Sequence, residues 1–193
     1  PLTDIRKGFR NGYDSENARL ISGIWKDIRI INVYVPQGQN TESEKFVYKL
    51  EFLKQLHLEI SSGTYPDLPI IMVGDFNVAL DPGDVNDPEA MMGQVSYHPR
   101  EHERMNVFLN PNPSKPEQTQ LHDIFRCFDS REHQFTWWDF RTRGFERGEG
   151  MRIDHILASS SLLTHIKNCC IDSLVRGGEK PSDHAPVICQ IEI

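Results

Sequence analysis

Asp183-His184 and Gly74-Asp75-Phe76-Asn77 each place a carboxylate and a second polar group at the end of an apolar, β-type run. If residues 74–77 continue as a strand, alternation puts Asp75 and Asn77 on one side. There the carboxylate can take a proton from water while the amide holds the nucleophile or a phosphate oxygen. The plainer reading is a turn, for which Gly, Asp and Asn are ordinary residues. His184 is one of eight histidines, yet it stands beside an acid and two residues before Pro186, which stiffens the turn. An imidazolium next to a carboxylate can stabilise charge building on a phosphate oxygen. Asp183 is the candidate metal ligand, because hard divalent cations prefer oxygen donors.

Three further places carry candidates. Asp154 follows Arg152-Ile153 and opens the run Ile156-Leu157-Ala158; it is either a salt-bridged strand end or the group that orients the His184 ring. Tyr34 closes Val33-Tyr34-Val35-Pro36, as a core aromatic or as a hydrogen-bond donor to phosphate. Phe135-Thr136-Trp137-Trp138-Asp139-Phe140, followed by Arg141-Thr142-Arg143, interleaves rings with cations. Core packing accounts for part of those rings; the rest could wedge against bases or a sugar, with the arginines on phosphates.

The elements that must position these groups are mostly short strands. Residues 22–35 hold two, Ile24-Trp25-Lys26 and Ile28 to Val35, separated by a turn at Asp27 and closed by Pro36-Gln37-Gly38. Thr41 to Ile60 reads as a helix, with Phe46, Leu50, Leu53, Leu56 and Ile60 at helical spacing and Thr41-Glu42-Ser43-Glu44 offering caps and first-turn acids. Pro66 to Pro69 breaks the chain before Ile70-Ile71-Met72-Val73, a strand of the fully buried kind. Asp81 to Asp87 reads as a loop. His98 to Leu109 is predicted helical, ended by Pro111, Pro113 and Pro116, and Leu121 to Phe128 is a second amphipathic helix. Phe135–Phe140 and Arg152–Ala158 are predicted as strands joined by the charged loop 141–150, with Cys170–Val175 and Ala185–Ile193 completing the set. Short strands with few helices and no regular βαβ alternation predict a mixed α/β sandwich rather than a doubly wound sheet.

Composition bounds the partners. The 193 residues, 38% hydrophobic and 25% charged, suit one domain with a substantial core. No apolar run approaches the roughly 20 residues a membrane span requires, and no signal-peptide pattern opens the chain; a cytoplasmic protein with no membrane partner is expected. A net charge of −7 argues against holding nucleic acid by bulk electrostatics. It leaves room for local positive charge, and Arg141, Arg143, Arg147 and Arg152 do fall close together. Cys127, Cys169, Cys170 and Cys189 form no CxxC pair and read as free thiols. The opening Pro1-Leu2-Thr3 has no initiator methionine, which predicts sequence upstream.

Taken together, Asn32-Val33-Tyr34-Val35-Pro36-Gln37-Gly38, Gly74-Asp75-Phe76-Asn77, Phe135-Thr136-Trp137-Trp138-Asp139-Phe140-Arg141, Arg152-Ile153-Asp154-His155-Ile156-Leu157 and Lys180-Pro181-Ser182-Asp183-His184-Ala185-Pro186 resemble the exonuclease III family of abasic-site endonucleases, within the endonuclease/exonuclease/phosphatase superfamily. The resemblance implies a four-layered α/β sandwich with two mixed, mainly antiparallel sheets, residues 1–193 being its C-terminal two thirds as one domain. It implies Mg²⁺- or Mn²⁺-dependent cleavage of phosphodiesters in double-stranded DNA, at abasic sites or 3′ ends, by a monomer. Asp75 would be the base for the attacking water and Asn77 would position it, Tyr34 would contact the phosphate, and His184 paired with Asp154 would stabilise the transition state. Asp183 would belong to the metal site together with Asp75 and Asn77. Trp137, Met151 and Ile153 would line the pocket for a flipped-out abasic sugar, whose extrusion is cheapest because no base is unstacked, and Arg141 would contact DNA. Family members begin with a strand carrying an Asn and a strand ending in a metal-binding Glu, for which no counterpart precedes Pro1; this polypeptide alone is expected to be weakly active or inactive. Two readings compete: another phosphodiesterase or phosphatase of the superfamily, which would not need the aromatic-arginine patch, and a non-catalytic DNA-binding module.

Overall fold

The computed structural model describes residues 1–61, 68–110 and 120–193; the expected breaks at Pro66, Pro111, Pro113 and Pro116 lie outside them. Its centre is a six-stranded mixed sheet built from β1 (Thr3–Lys7), β2 (Leu20–Trp25), β3 (Ile28–Tyr34), β4 (Ile70–Asp75), β5 (Leu121–Asp123) and β6 (Asp154–Ser159), in the order β1-β2-β3-β4-β6-β5. Only β3 and β4 run parallel, and helix α1 (Glu44–Ser61) makes the crossover between them. A second, two-stranded antiparallel sheet pairs β7 (Ile166–Ile171) with β8 (Val187–Ile191).

Strand alternation sorts the central residues into two cores. Ile31 and Val33 of β3, Ile70 and Met72 of β4 and Leu157 of β6 turn to one face, where they meet Phe52, Leu53 and Leu56 of α1 and Met105 and Phe108 of α3 (Pro99–Leu109). Their neighbours Ile30, Ile71, Val73, Ile156 and Ala158 turn to the other face and pack on Ile166, Cys169, Val187 and Cys189 of the small sheet. Burial on both faces is why these strands read as unbroken apolar runs. The result is the mixed α/β sandwich the strand pattern predicts.

Several local expectations are corrected. Leu121 to Phe128 is not one helix: residues 121–123 pair with Leu157–Ser159 as β5, and only Ile124–Phe128 (α4) turn helical, from an Asp123 side chain that accepts from Arg126 N. Phe135–Phe140 is not a strand. Trp137 alone bridges both Met151 and His184, so this stretch is wedged between two loops instead of joining a sheet. The strand expected over Cys170–Val175 starts earlier and ends at Ile171, and Ser173–Arg176 form a helical turn. The loop 81–87 contains a 3₁₀ turn at Pro82–Asp84 closed by a capping box between Asp81 and Asp84. Strand β1 carried no legible signal; apart from partly buried Arg6 its residues are exposed. The helix at 41–60 begins later, at Glu44, with the Ser43 hydroxyl accepting from Phe46 N (3.2 Å). Pro88–Met91 (α2) and Gly144–Arg147 (α5) add two short helical turns.

Candidate active site

Three strand ends bring the chemistry together. Tyr34 at the end of β3 pairs with Asp75 at the end of β4, and Asp75 pairs with Asp154 at the start of β6. Residues directly opposite in a sheet share a face, so these side chains form a row just past the small sheet. Gly74 makes the approach possible. Its φ is +137°, and a Cβ there would lie 1.9 Å from the Val33 carbonyl oxygen, so no other residue fits.

Asn77 reaches Asp75 by a turn, not by the strand alternation expected. β4 ends at Asp75, Asn77 adopts φ 53°, and its backbone N–H donates to Asp75 Oδ1 (2.8 Å). Its Nδ2 donates to Asp75 Oδ2 (3.0 Å) and to the Val35 carbonyl (2.9 Å). One amide hydrogen thus holds the carboxylate and the other the Val35 carbonyl, leaving only the side-chain carbonyl for a ligand.

His184 comes from the loop before β8. Its Nδ1 lies 2.8 Å from Asp154 Oδ2, and Asp75, Asp154 and His184 present ligand atoms all within 4.8 Å of one another. Burial pushes the Asp75 carboxyl up to about 6, and the charge of Asp154 adds to this; the Asn77 hydrogen bond, His184 and Lys49 pull the other way. Burial opposes charge on the His184 ring, but the Asp154 hydrogen bond and charge, with Asp75 and Asp183, outweigh it and raise its pKa. A carboxylate poised near neutrality beside a readily protonated imidazole can accept a proton and stabilise an anion in one place. The row has a concave surface at each end: Tyr34 lines a cavity of about 550 Å³, and Asp154 and His184 line one of about 490 Å³.

Asp183 is placed differently from its neighbour. Its Oδ2 accepts from Trp137 Nε1 (3.1 Å), and among the described residues the potential metal group is Asp75, Asp154 and His184, without it. The backbone hydrogen bonds Trp138 N to Asp183 O (3.0 Å) and Ala185 N to Thr136 O (2.8 Å) fasten the two loops together. Trp137 also exchanges backbone hydrogen bonds with Met151 (2.9 Å each way), so Trp137, Met151 and Asp183 form one surface. Ile153 is buried beneath it with Ala79, Val85 and Tyr97, and so supports the surface instead of lining it. Arg141 is exposed and ion-paired with Asp139 (2.9 Å).

The Endonuclease/Exonuclease/phosphatase family profile matches residues 1–184. Exodeoxyribonuclease III of Haemophilus influenzae is 30% identical over 195 residues, covering 95% of this chain and 70% of that protein. The chain belongs to the exonuclease III family. A 3′ phosphatase from Neisseria, bound to a product DNA hairpin, superposes with a TM-score of 0.90 at 28% identity, over 100% of this chain and 72% of that one. An AP endonuclease from Archaeoglobus fulgidus gives 0.84 at 29% identity, with the same coverage.

This exonuclease III relative also contains supporting residues that the motif reading passed over. Lys49 of α1 is fully buried; its Nζ donates to the carbonyls of Asn77 (2.6 Å) and Gln37 (3.2 Å) and pairs with Glu101 of α3. The loops after β3 and β4 are thereby tied to one ammonium. The signal was present: Lys49 interrupts the apolar stripe of α1, three residues after Phe46. Thr136 is the second. Its hydroxyl accepts from both Ile153 N (3.0 Å) and Asp154 N (3.1 Å). Arg152, counted above among the clustered arginines, is fully buried and held by Asp84 and Asp123; it is no part of a DNA-facing surface.

Proposed function

We propose that this protein is a DNA repair nuclease that hydrolyses phosphodiesters of duplex DNA at abasic sites or at 3′ ends. The observation that carries the reading is the meeting of Asp75, Asp154 and His184, from β4, β6 and the loop before β8, with ligand atoms within 4.8 Å. Asp75, ionised above about pH 6, takes a proton from the attacking water. Asn77 fixes the carboxylate that does so. His184, held by Asp154, donates a hydrogen bond toward the oxygen on which charge builds, and Tyr34, half-exposed at the other end of the row, contacts the phosphate.

The donor set suits a hard divalent cation, Mg²⁺ or Mn²⁺, because its carboxylate oxygens outnumber its nitrogens. The Asp154–His184 hydrogen bond commits part of that group to itself, so Asp75, the Asn77 carbonyl and Asp183 are the residues that would hold the cation. When bound, it would neutralise charge on the phosphate and lower the pKa of water. Trp137 and Met151 would face the extruded sugar, with Arg141 on the backbone.

Action at 3′ ends is favoured by the likeness to the Neisseria 3′ phosphatase seen with a DNA hairpin. The test compares cleavage of an abasic-site duplex, release of phosphate from a 3′-phosphorylated duplex and hydrolysis of a small phosphodiester, each with Mg²⁺, Mn²⁺ or chelator. Metal-dependent action on the DNA substrates, lost in Asp75→Asn and sharply reduced in Trp137→Ala, is expected. Turnover confined to the small ester and indifferent to Trp137 would point to another phosphodiesterase of the superfamily. DNA binding without turnover, unchanged by chelator and by Asp75→Asn, would mark a binding module.

A further inference from the structure

Arg176 is the last residue of α6 (Ser173–Arg176) and is only 5% exposed. Its guanidinium lies against two rings, 4.4 Å from the centroid of Phe140 and 5.0 Å from that of Phe145. Its Nε is buried with no hydrogen-bond partner, and Arg176 forms no ion pair among the described residues. The other buried arginines are matched: Arg152 by Asp84 and Asp123, and Arg29 by Asp4. Aromatic rings attract a guanidinium but offer its N–H edge no acceptor. Here the buried Nε–H is left without an acceptor, and an unsatisfied buried donor is costly.

That edge has somewhere to point. Arg176 lines a cavity of about 400 Å³ whose other walls include Phe140, exposed Arg143, Gly177 and Pro181. The same loop, 177–183, leads directly to His184, and Phe140 lies three residues after Trp137. The walls therefore belong to the two segments that carry the proposed DNA-facing residues. A planar fork held against rings is suited to a phosphate, which offers paired oxygens to its N–H groups. Glu146 also lines the cavity, so the site suits a single anion balanced by two arginines.

We propose that this cavity, with Arg176 at its base and Arg143 at its opening, is a phosphate-binding subsite that grips the DNA strand beside the reacting phosphodiester. The inference rests on the DNA-nuclease reading above. Its test measures binding of an oligonucleotide duplex across a salt series by the unaltered chain, Arg176→Met and Arg176→Lys. Arg176→Met keeps an unbranched stem against the rings. It should bind about 5–10-fold more weakly, with a salt slope smaller by about 1, the signature of one lost phosphate contact. Arg176→Lys should keep the slope. Unchanged affinity and slope in a folded Arg176→Met variant would overturn the subsite while leaving the nuclease reading intact; no duplex binding by the unaltered chain would remove that reading and this one with it. Should Arg176→Met fail to fold, the ¹⁵N–¹H signal of Arg176 Nε in the unaltered protein decides. A shift on adding duplex supports the strand as ligand, a shift with inorganic phosphate alone assigns the cavity to a released phosphate, and no shift with either overturns it.

Discussion

Asp75, Asp154 and His184 meet on one side of β6, while Arg152 and His155, a residue or two away in the chain, reach a separate polar cluster. In the first, two carboxylates share a single imidazole, and burial lifts Asp75 to about 6. In the second, Arg152 donates through Nε and Nη2 to both oxygens of Asp84 (2.7 Å each) and through Nη2 to Asp123 (2.7 Å). Arg126 adds a further pair to Asp84, and His155 sits between Arg152 (3.0 Å) and the Val78 carbonyl (2.7 Å). Burial opposes the charge of Asp84, yet Arg152, His155 and Arg126 hold its carboxyl below the ordinary value. Matched buried charges fix a structure; mismatched ones store reactivity. The same strand start serves both, because alternation sends Asp154 to one face and His155 to the other.

Asp75→Asn should separate the two most sharply. Removing the base is expected to cut turnover by about 10²–10⁴, measured on abasic-site duplex relative to the unaltered protein. Stability should move the other way. The folded-state value of Asp75 lies above its ordinary 3.8, so the folded chain binds this proton more tightly than the unfolded one. Ionising the group therefore costs stability, a cost absent below about pH 4 and complete above about pH 6. At pH 8, without metal, the variant should be more stable by about 1–3 kcal/mol, and the gain should fade as pH falls through that window. Equal stability at both pH values would mean Asp75 is not strained.

Arg152→Met tests the opposite cluster. It leaves Asp84 and Asp123 facing each other without their shared cation and should cost about 3–5 kcal/mol in urea unfolding. Acid should shrink the deficit. Asp84 stabilises the unaltered fold above its ordinary value, and that contribution is lost as pH falls through its lowered folded one. A small loss at neutral pH would show that the cluster is dispensable.

The contrast also explains what the chain reveals when read alone. Strands β3, β4 and β6 are legible because both faces are buried, giving runs such as Ile70-Ile71-Met72-Val73. Asp75, Asp154 and His184 are legible because each sits where such a run starts or stops. The matched cluster was hidden: Arg152, Asp84 and Asp123 are ordinary charged residues in sequence, and only the fold makes them neighbours. Phe135–Phe140 misled because its β-rich composition serves a double loop contact around Trp137, a long-range event. Leu121–Phe128 misled because a helical period and a three-residue strand cannot be told apart over so short a span.

Asp154→Asn keeps the shape of the reactive cluster and weakens its charge. Turnover should fall by about a hundredfold, the low end for a proton-transfer group. The ring of His184 should titrate at lower pH in the metal-free protein, read by NMR, because its raised value depends on Asp154. In the unaltered protein that pairing stabilises the fold fully below the ordinary 6.5 and loses its effect as pH rises through the folded value. The variant's stability deficit should therefore shrink toward alkaline pH. A His184 midpoint that does not move would break the dyad.

Arg141→Ala is expected to have the smallest effect and the one most specific to DNA. The side chain is exposed and, among the described residues, paired only with Asp139, two residues away, and exposed pairs of this kind contribute little to folding. Thermal unfolding should be unchanged, in contrast to Arg152→Met eleven residues further on. Duplex affinity should drop a few-fold, and the salt slope should lose about 1, if the guanidinium exchanges Asp139 for a phosphate. Asp139→Asn, which frees the same arginine, should shift affinity the other way. Opposite signs from the two variants would establish that the pair competes with DNA, whereas equal and silent variants would confine strand binding to the Trp137 surface and the Arg176 cavity.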